Sequence, residues 1–175
     1  AMMTDVVAMD EGVRDRLVLL AGGTSAAGRS AARVLLDAGA RVVVVGSDDD
    51  RLASVAAEVP GVAVRRCDLT DSDAVDALRD HVHSAHGRVD GLLHLVGGWR
   101  GGGGLAGQSD DDFAFLLRSL TALRHISRAF DEDLRTSDAG RLAIVSSTSV
   151  ARPLAGGANY ETVKAASETL VRAVG

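Results

Sequence analysis

A doubly wound α/β domain, a parallel sheet flanked by helices on both faces, is predicted by three observations. Short apolar runs and amphipathic segments alternate five times along the 175 residues, the order of repeated βαβ units. The run Val42–Val45 is β-branched throughout with no polar alternation, the pattern of a strand buried on both faces. A glycine-rich turn, Ala21-Gly-Gly-Thr-Ser-Ala-Ala-Gly28, joins the first apolar run to the first amphipathic segment.

The elements follow in order. Leu17–Leu20 reads as the first strand, and a helix over about 29–38 carries Val34, Leu35 and Ala38 on one face, with Gly39 as its stop. Val42–Val45 is the second strand. Asp48–Val59 is a helix ended by Pro60-Gly61, and Val62–Val64 starts the third strand. Asp71–His86 is helical, with Asp71 and Ser72 available as caps. Leu92–Val96 is the fourth strand, Ser109 to about Thr136 one long helix, Arg141–Ser146 the fifth strand and Ala158–Val174 the last helix. No repeat at a fixed period and no second domain interrupt this order.

Composition removes several function classes. With 46% hydrophobic and 25% charged residues the chain is neither disordered nor collagen-like, and its length supports a core. Nineteen basic against 24 acidic residues give a net charge of −5, with no basic stripe for nucleic acid. No apolar run approaches the roughly 20 residues of a membrane span. The lone Cys67 cannot close an internal disulfide, and the acidic first fifteen residues do not suit a signal peptide; a cytoplasmic protein is expected. Ala1 before Met2 reads as a tag scar on an N-terminal arm over 1–15, leaving 16–175 as the domain.

The turn carries the first chemistry. Gly22, Gly23 and Gly28 sit where a backbone without Cβ atoms can approach a pyrophosphate, and the following helix N-terminus supplies amide donors. A tight strand-to-helix turn with no ligand is the plain alternative. Residues 97–107 hold seven glycines in eleven positions. They form either a slack connector or, being next to the carboxyl end of a parallel strand, a loop over a ligand with Trp99 as a contact. Tyr160 and Lys164 are four apart and share a helix face. An ammonium beside a phenol favours the phenolate, a pair suited to proton exchange with an alcohol or carbonyl oxygen. Such a pentad also occurs on exposed helix faces, but this chain's single tyrosine falls within it. His81, His83 and His86 do not converge on one helix face, so they read as a solvated helix end, and no metal site is expected.

Gly22-x-x-x-Ala26-x-Gly28 resembles the turn of the short-chain dehydrogenases/reductases, with Ala21 for its threonine and Ala26 for its middle glycine. The resemblance runs from Arg16 to Val174. It implies a Rossmann-type fold, binding of NAD or NADP, and hydride transfer between nicotinamide and a small-molecule carbonyl or alcohol. Carried over, Gly22, Thr24, Ser25, Ala26, Ala27 and Gly28 line the pyrophosphate, and Ser47 lies by the ribose. Asp68 and Leu69 meet the adenine, Gly97 is the one residue kept from the family's Asn-Asn-Ala-Gly, and Lys164 holds the nicotinamide ribose. Catalysis is assigned to Tyr160 as acid/base and Lys164 beside it. Ser147, thirteen residues before Tyr160, orients the substrate oxygen, and Ser119 stands where the family places an asparagine. A serine there can hold a water or cap a carbonyl.

His94, in place of the first family asparagine, reads as a hydrogen-bonded core residue. Gly46 and Ser47, at the end of the second strand, do not choose between NAD and NADP; Asp48, Asp49 and Asp50 read as cap and first-turn acids of the next helix. Family members pair into homodimers or homotetramers through the long helix and the tyrosine helix. They also continue past that helix with further strands, expected here in a tail beyond Gly175. A genuine end at Gly175 would bare the sheet edge beside the fifth strand. Two rival readings stand: Ala26 and Ser119 favour a non-catalytic dinucleotide-binding sensor or interaction module, and the short chain a remnant that only dimerises.

Overall fold

A computed structural model of the chain describes residues 12–174, so the expected tag scar and most of the N-terminal arm lie outside the described residues. The element order is β1 (Leu17–Ala21), α1 (Ala26–Asp37), β2 (Arg41–Gly46), α2 (Asp49–Glu58), β3 (Ala63–Arg66) and α3 (Ser72–His86). There follow β4 (Gly91–His94), α4 (Asp110–Ala129), α5 (Asp131–Thr136), β5 (Arg141–Ile144) and α6 (Ala158–Val174). Short 3-10 turns occupy Leu105–Gly107, Thr148–Ala151 and Ala155–Gly157.

The five strands form one parallel sheet in the order β3-β2-β1-β4-β5. This is the predicted doubly wound, Rossmann-type architecture, and its cause lies in how the strands are buried. Leu17, Leu19, Ala21, Val43 and Val45 face one cluster with Val75, Leu78 and Val82 of α3 and Ile126 of α4. Val18, Leu20, Val42 and Val44 face another with Ala32 of α1 and Leu52 and Val55 of α2. Both faces of β1 and β2 are therefore covered, which explains runs without polar alternation. The chain winds outward from β1 to β3, then crosses back to β4, so the strand order reverses between β1 and β4. The crevice at that reversal is where open α/β sheets bind ligands.

Several boundaries differ from expectation. Helix α1 starts at Ala26 rather than near Arg29, because the Ser25 hydroxyl accepts from Gly28 N at 3.1 Å and caps it. Strand β3 extends to Arg66, past the apolar run that marked it. Strand β4 ends at His94 and β5 at Ile144, two residues before the expected ends. Beyond β4, Leu95 N still reaches Ala21 O at 2.7 Å, but Val96 turns toward Gly22. The long helix expected over 109–136 breaks at Phe130, which is fully buried with φ −108°. Just beyond, the buried Asp133 carboxylate accepts from Val89 N (2.9 Å), Arg88 Nη1 (2.9 Å) and His83 Nε2 (2.8 Å). The break lets α5 turn this carboxylate inward. It also corrects the reading of His83, which bridges α3 to α5 instead of lying on a solvated end. Asp48 and Asp71 cap α2 and α3 as expected.

No helix among the described residues is long and apolar enough to cross a membrane. Nor is any group of three His, Cys, Asp or Glu side chains placed to hold a metal ion there.

Candidate active site

Two clefts open at the carboxyl ends of β1 and β4, and they share Ser25, Leu95, Val96 and Gly97 as common walls. The turn between β1 and α1 shapes both. Gly22 has φ +75°, and a Cβ there would lie 2.7 Å from Val96 N, so only glycine fits under the segment leaving β4. A Cβ on Gly28 would lie 2.2 Å from Gly23 O, where α1 closes on the turn. Arg29 Nη1 ties the turn from behind by donating to Thr24 O at 2.7 Å.

The second cleft, about 240 Å³, gathers Gly22, Thr24, Ser25, Ser47, Asp68, Leu69 and Gly97 of the expected cofactor set. Ala26 is exposed and, like Gly28, lines neither cleft. Asp68 Oδ1 accepts from Thr70 N (2.9 Å) and Thr70 Oγ1 (2.7 Å), which holds its carboxyl below the usual range, with Arg118 and Arg66 adding to the shift. Cys67 lies beside it, its thiol pushed up to about 11 by burial and by the charges of Asp68 and Asp71, so it stays protonated and chemically quiet. Arg51 and Arg118 also line this cleft. Neither stands out in the sequence, because arginines on amphipathic helices resemble any solvated residue.

The first cleft, about 250 Å³, brings together Tyr160, Lys164, Ser119, Gly97, Ser25 and Ala27, with Trp99 at its rim. Lys164 Nζ lies 5.6 Å from the Tyr160 ring centroid and donates to Val145 O at 2.7 Å. Burial holds its ammonium below the usual lysine range. The Ser119 hydroxyl donates to Leu116 O in its own helix at 2.7 Å, capping a carbonyl, the second of the two uses expected for it. Its backbone oxygen instead receives His94 Nε2 at 3.1 Å. His94 is thus the hydrogen-bonded core residue expected, and this bond places the proton on Nε2. Its Nδ1 is buried without a partner beside the cleft. Burial, with the nearby Lys164 charge, lowers its pKa to about 4 despite the Ser119 bond. Ser147 stands apart from the cleft lining. Its Oγ lies 2.6 Å from Ser149 Oγ and accepts from Ser149 N, capping the turn that follows β5.

The profile of the short chain dehydrogenases matches residues 16–175. The chain belongs to the short-chain dehydrogenase family. A 3β-hydroxysteroid dehydrogenase of Mediterraneibacter gnavus is 28% identical over 165 residues, 91% of this chain and 59% of that protein. An uncharacterised oxidoreductase of Mycobacterium tuberculosis is 32% identical over 96 residues, 51% of this chain but 28% of that protein. The chain therefore spans less than two thirds of these relatives. Among solved structures, a metagenomic short-chain oxidoreductase in complex with NADP is 29% identical with a TM-score of 0.82, covering 93% of this chain and 76% of that one. An NAD+-bound xylitol dehydrogenase is 25% identical with a TM-score of 0.82, covering 90% and 62%.

Proposed function

We propose that the protein is an NAD(P)-dependent oxidoreductase that moves a hydride between nicotinamide and a carbonyl or alcohol carbon. The observation that carries this reading is the pair Tyr160 and Lys164 in a cleft sharing a wall with the glycine turn. The residues fit a dinucleotide. Gly22 lets the turn pass tightly under Val96, and Gly22, Thr24 and Ser25 line the second cleft at the N-terminus of α1, where backbone amides suit an anion. In this reading the adenosine half lies by Ser47, Asp68 and Leu69, the pyrophosphate by the 22–28 turn, and the nicotinamide half by Gly97 and Lys164. NAD and NADP remain equal candidates, one found with each of the two structural relatives above.

When bound, the nicotinamide supplies or takes the hydride. Tyr160 donates its phenolic proton to the substrate oxygen as the carbonyl carbon is reduced, and solvent then reprotonates it; alcohol oxidation runs the same transfer backward. Lys164, beside the Tyr160 ring, would hold the ribose. Ser147 exchanges its Ser149 contact for the substrate oxygen and orients it. The named dehydrogenase relatives, acting on a hydroxysteroid and on xylitol, support an alcohol or carbonyl as substrate. The non-catalytic sensor reading draws on one specific observation, the Ser119 hydroxyl spent within its own helix.

Oxidation of NADH or NADPH in the presence of a carbonyl panel, followed by absorbance, separates the two. Tyr160→Phe is expected to lower turnover by about 10²–10⁴-fold while leaving cofactor affinity within about twofold. Equal behaviour of wild type and variant toward every carbonyl would leave the sensor.

A further inference from the structure

We propose that Gln108 is a positioning residue that locks the glycine-rich loop to the start of the tyrosine helix. Its side chain joins three segments at once. Nε2 donates to Gly104 O within the loop (3.2 Å) and to Ala155 O in the turn preceding α6 (2.6 Å), while Oε1 accepts from Asn159 N (3.0 Å). Asn159 is the residue next to Tyr160. A fourth bond, Gly102 N to Gly156 O at 2.7 Å, runs beside these without using the glutamine. The approach is close enough that a Cβ on Gly101 would lie 2.6 Å from Gly156 O and 2.9 Å from the Trp99 ring.

Only a primary amide suits this place. It donates twice and accepts once from one planar group, whereas a carboxylate has no donors and an aliphatic side chain neither function. The base of the side chain is fixed as well, because Ser109 next to it caps α4 by accepting from Asp112 N at 3.1 Å. A seven-glycine loop left to itself spreads over many backbone states. Gln108 removes part of that freedom and ties what is left to the residue before Tyr160. A substrate that settles the loop and Trp99 over the first cleft therefore also settles the helix end that carries the phenol. The lock itself stands on the hydrogen bonds; its role in turnover rests on the oxidoreductase reading above.

The test uses the full-length protein with Gln108→Leu and Gln108→Glu. Trp99 is the single tryptophan, so acrylamide quenching of its fluorescence reports the loop alone. Amide exchange by NMR reports Asn159, which the glutamine holds, and Gly102, which it does not touch. In Gln108→Leu both amides are expected to exchange about tenfold faster and quenching to rise about twofold. The melting midpoint should stay within about 4 °C. Gln108→Glu keeps the acceptor for Asn159 N, so it should restore protection there while the loop stays loosened. With a carbonyl compound from the panel, kcat of Gln108→Leu should fall about tenfold at unchanged cofactor affinity. Unchanged quenching and Gly102 exchange in Gln108→Leu would overturn the lock. A loosened loop with unchanged kcat would overturn its role in positioning Tyr160. An intact lock in a wild-type protein that binds neither NADH nor NADPH would instead refute the oxidoreductase reading, and the positioning role with it.

Discussion

His94 shows how burial, aided by the Lys164 charge, sets the behaviour of one residue. Its folded pKa of about 4 lies below its ordinary 6.5, so the native state binds fewer protons between those values. Unfolding is then favoured progressively as pH falls through 6.5 toward 4, and this contribution is flat above 6.5. At pH 5 the penalty is on the order of 2 kcal/mol. His94→Asn keeps a donor for Ser119 O and has nothing to titrate. Urea unfolding at pH 7 and pH 5 should therefore show a smaller acid loss in the variant than in wild type, and equal losses would remove the histidine from the account. At this scale the sequence was informative where chemistry is carried by residue type. The single tyrosine with a lysine four residues on, and Gly22 in the turn, stand out from their neighbours alone, and the fold brings them to the two clefts. Gln108, Arg51 and Arg118 do not, because a polar residue on a loop or helix looks the same whether or not the fold brings a partner to it.

At the scale of elements, the alternation of apolar runs placed all five strands, since burial on both faces leaves a pattern that survives any detail of packing. The break at Phe130 left no such trace. Phe130 and the acids around it fit an amphipathic helix locally, and only the fold shows that Asp133 must turn inward to meet Val89 N and Arg88. A carboxylate buried there accepts three bonds, one from His83 of α3 and two from Arg88 and Val89 in the segment that leads into β4. Asp133→Ala leaves the buried Val89 amide and two side-chain donors without that partner, and it should destabilise the fold by about 1–3 kcal/mol in urea unfolding. A loss below about 1 kcal/mol would mean that water replaces the carboxylate readily.

At the scale of the whole molecule, the reversal of strand order between β1 and β4 decides where a ligand can lie, and both clefts open there. The same architecture leaves Phe115 and Leu117 of α4 substantially exposed. We propose that α4 and α6 pair two copies of the chain, as the family resemblance implies. Light scattering of the purified chain is expected to give at least the mass of two 18.0 kDa protomers, and a monomer at micromolar concentration would exclude this pairing. In the reading proposed above, the shared wall of the two clefts holds a nicotinamide dinucleotide. Calorimetric titration of NADH and NADPH into folded protein of verified mass tests it most directly. Saturable binding of at least one of them is expected, with a Kd on the order of micromolar, about −8 kcal/mol. Absence of heat and of saturation with both would contradict it.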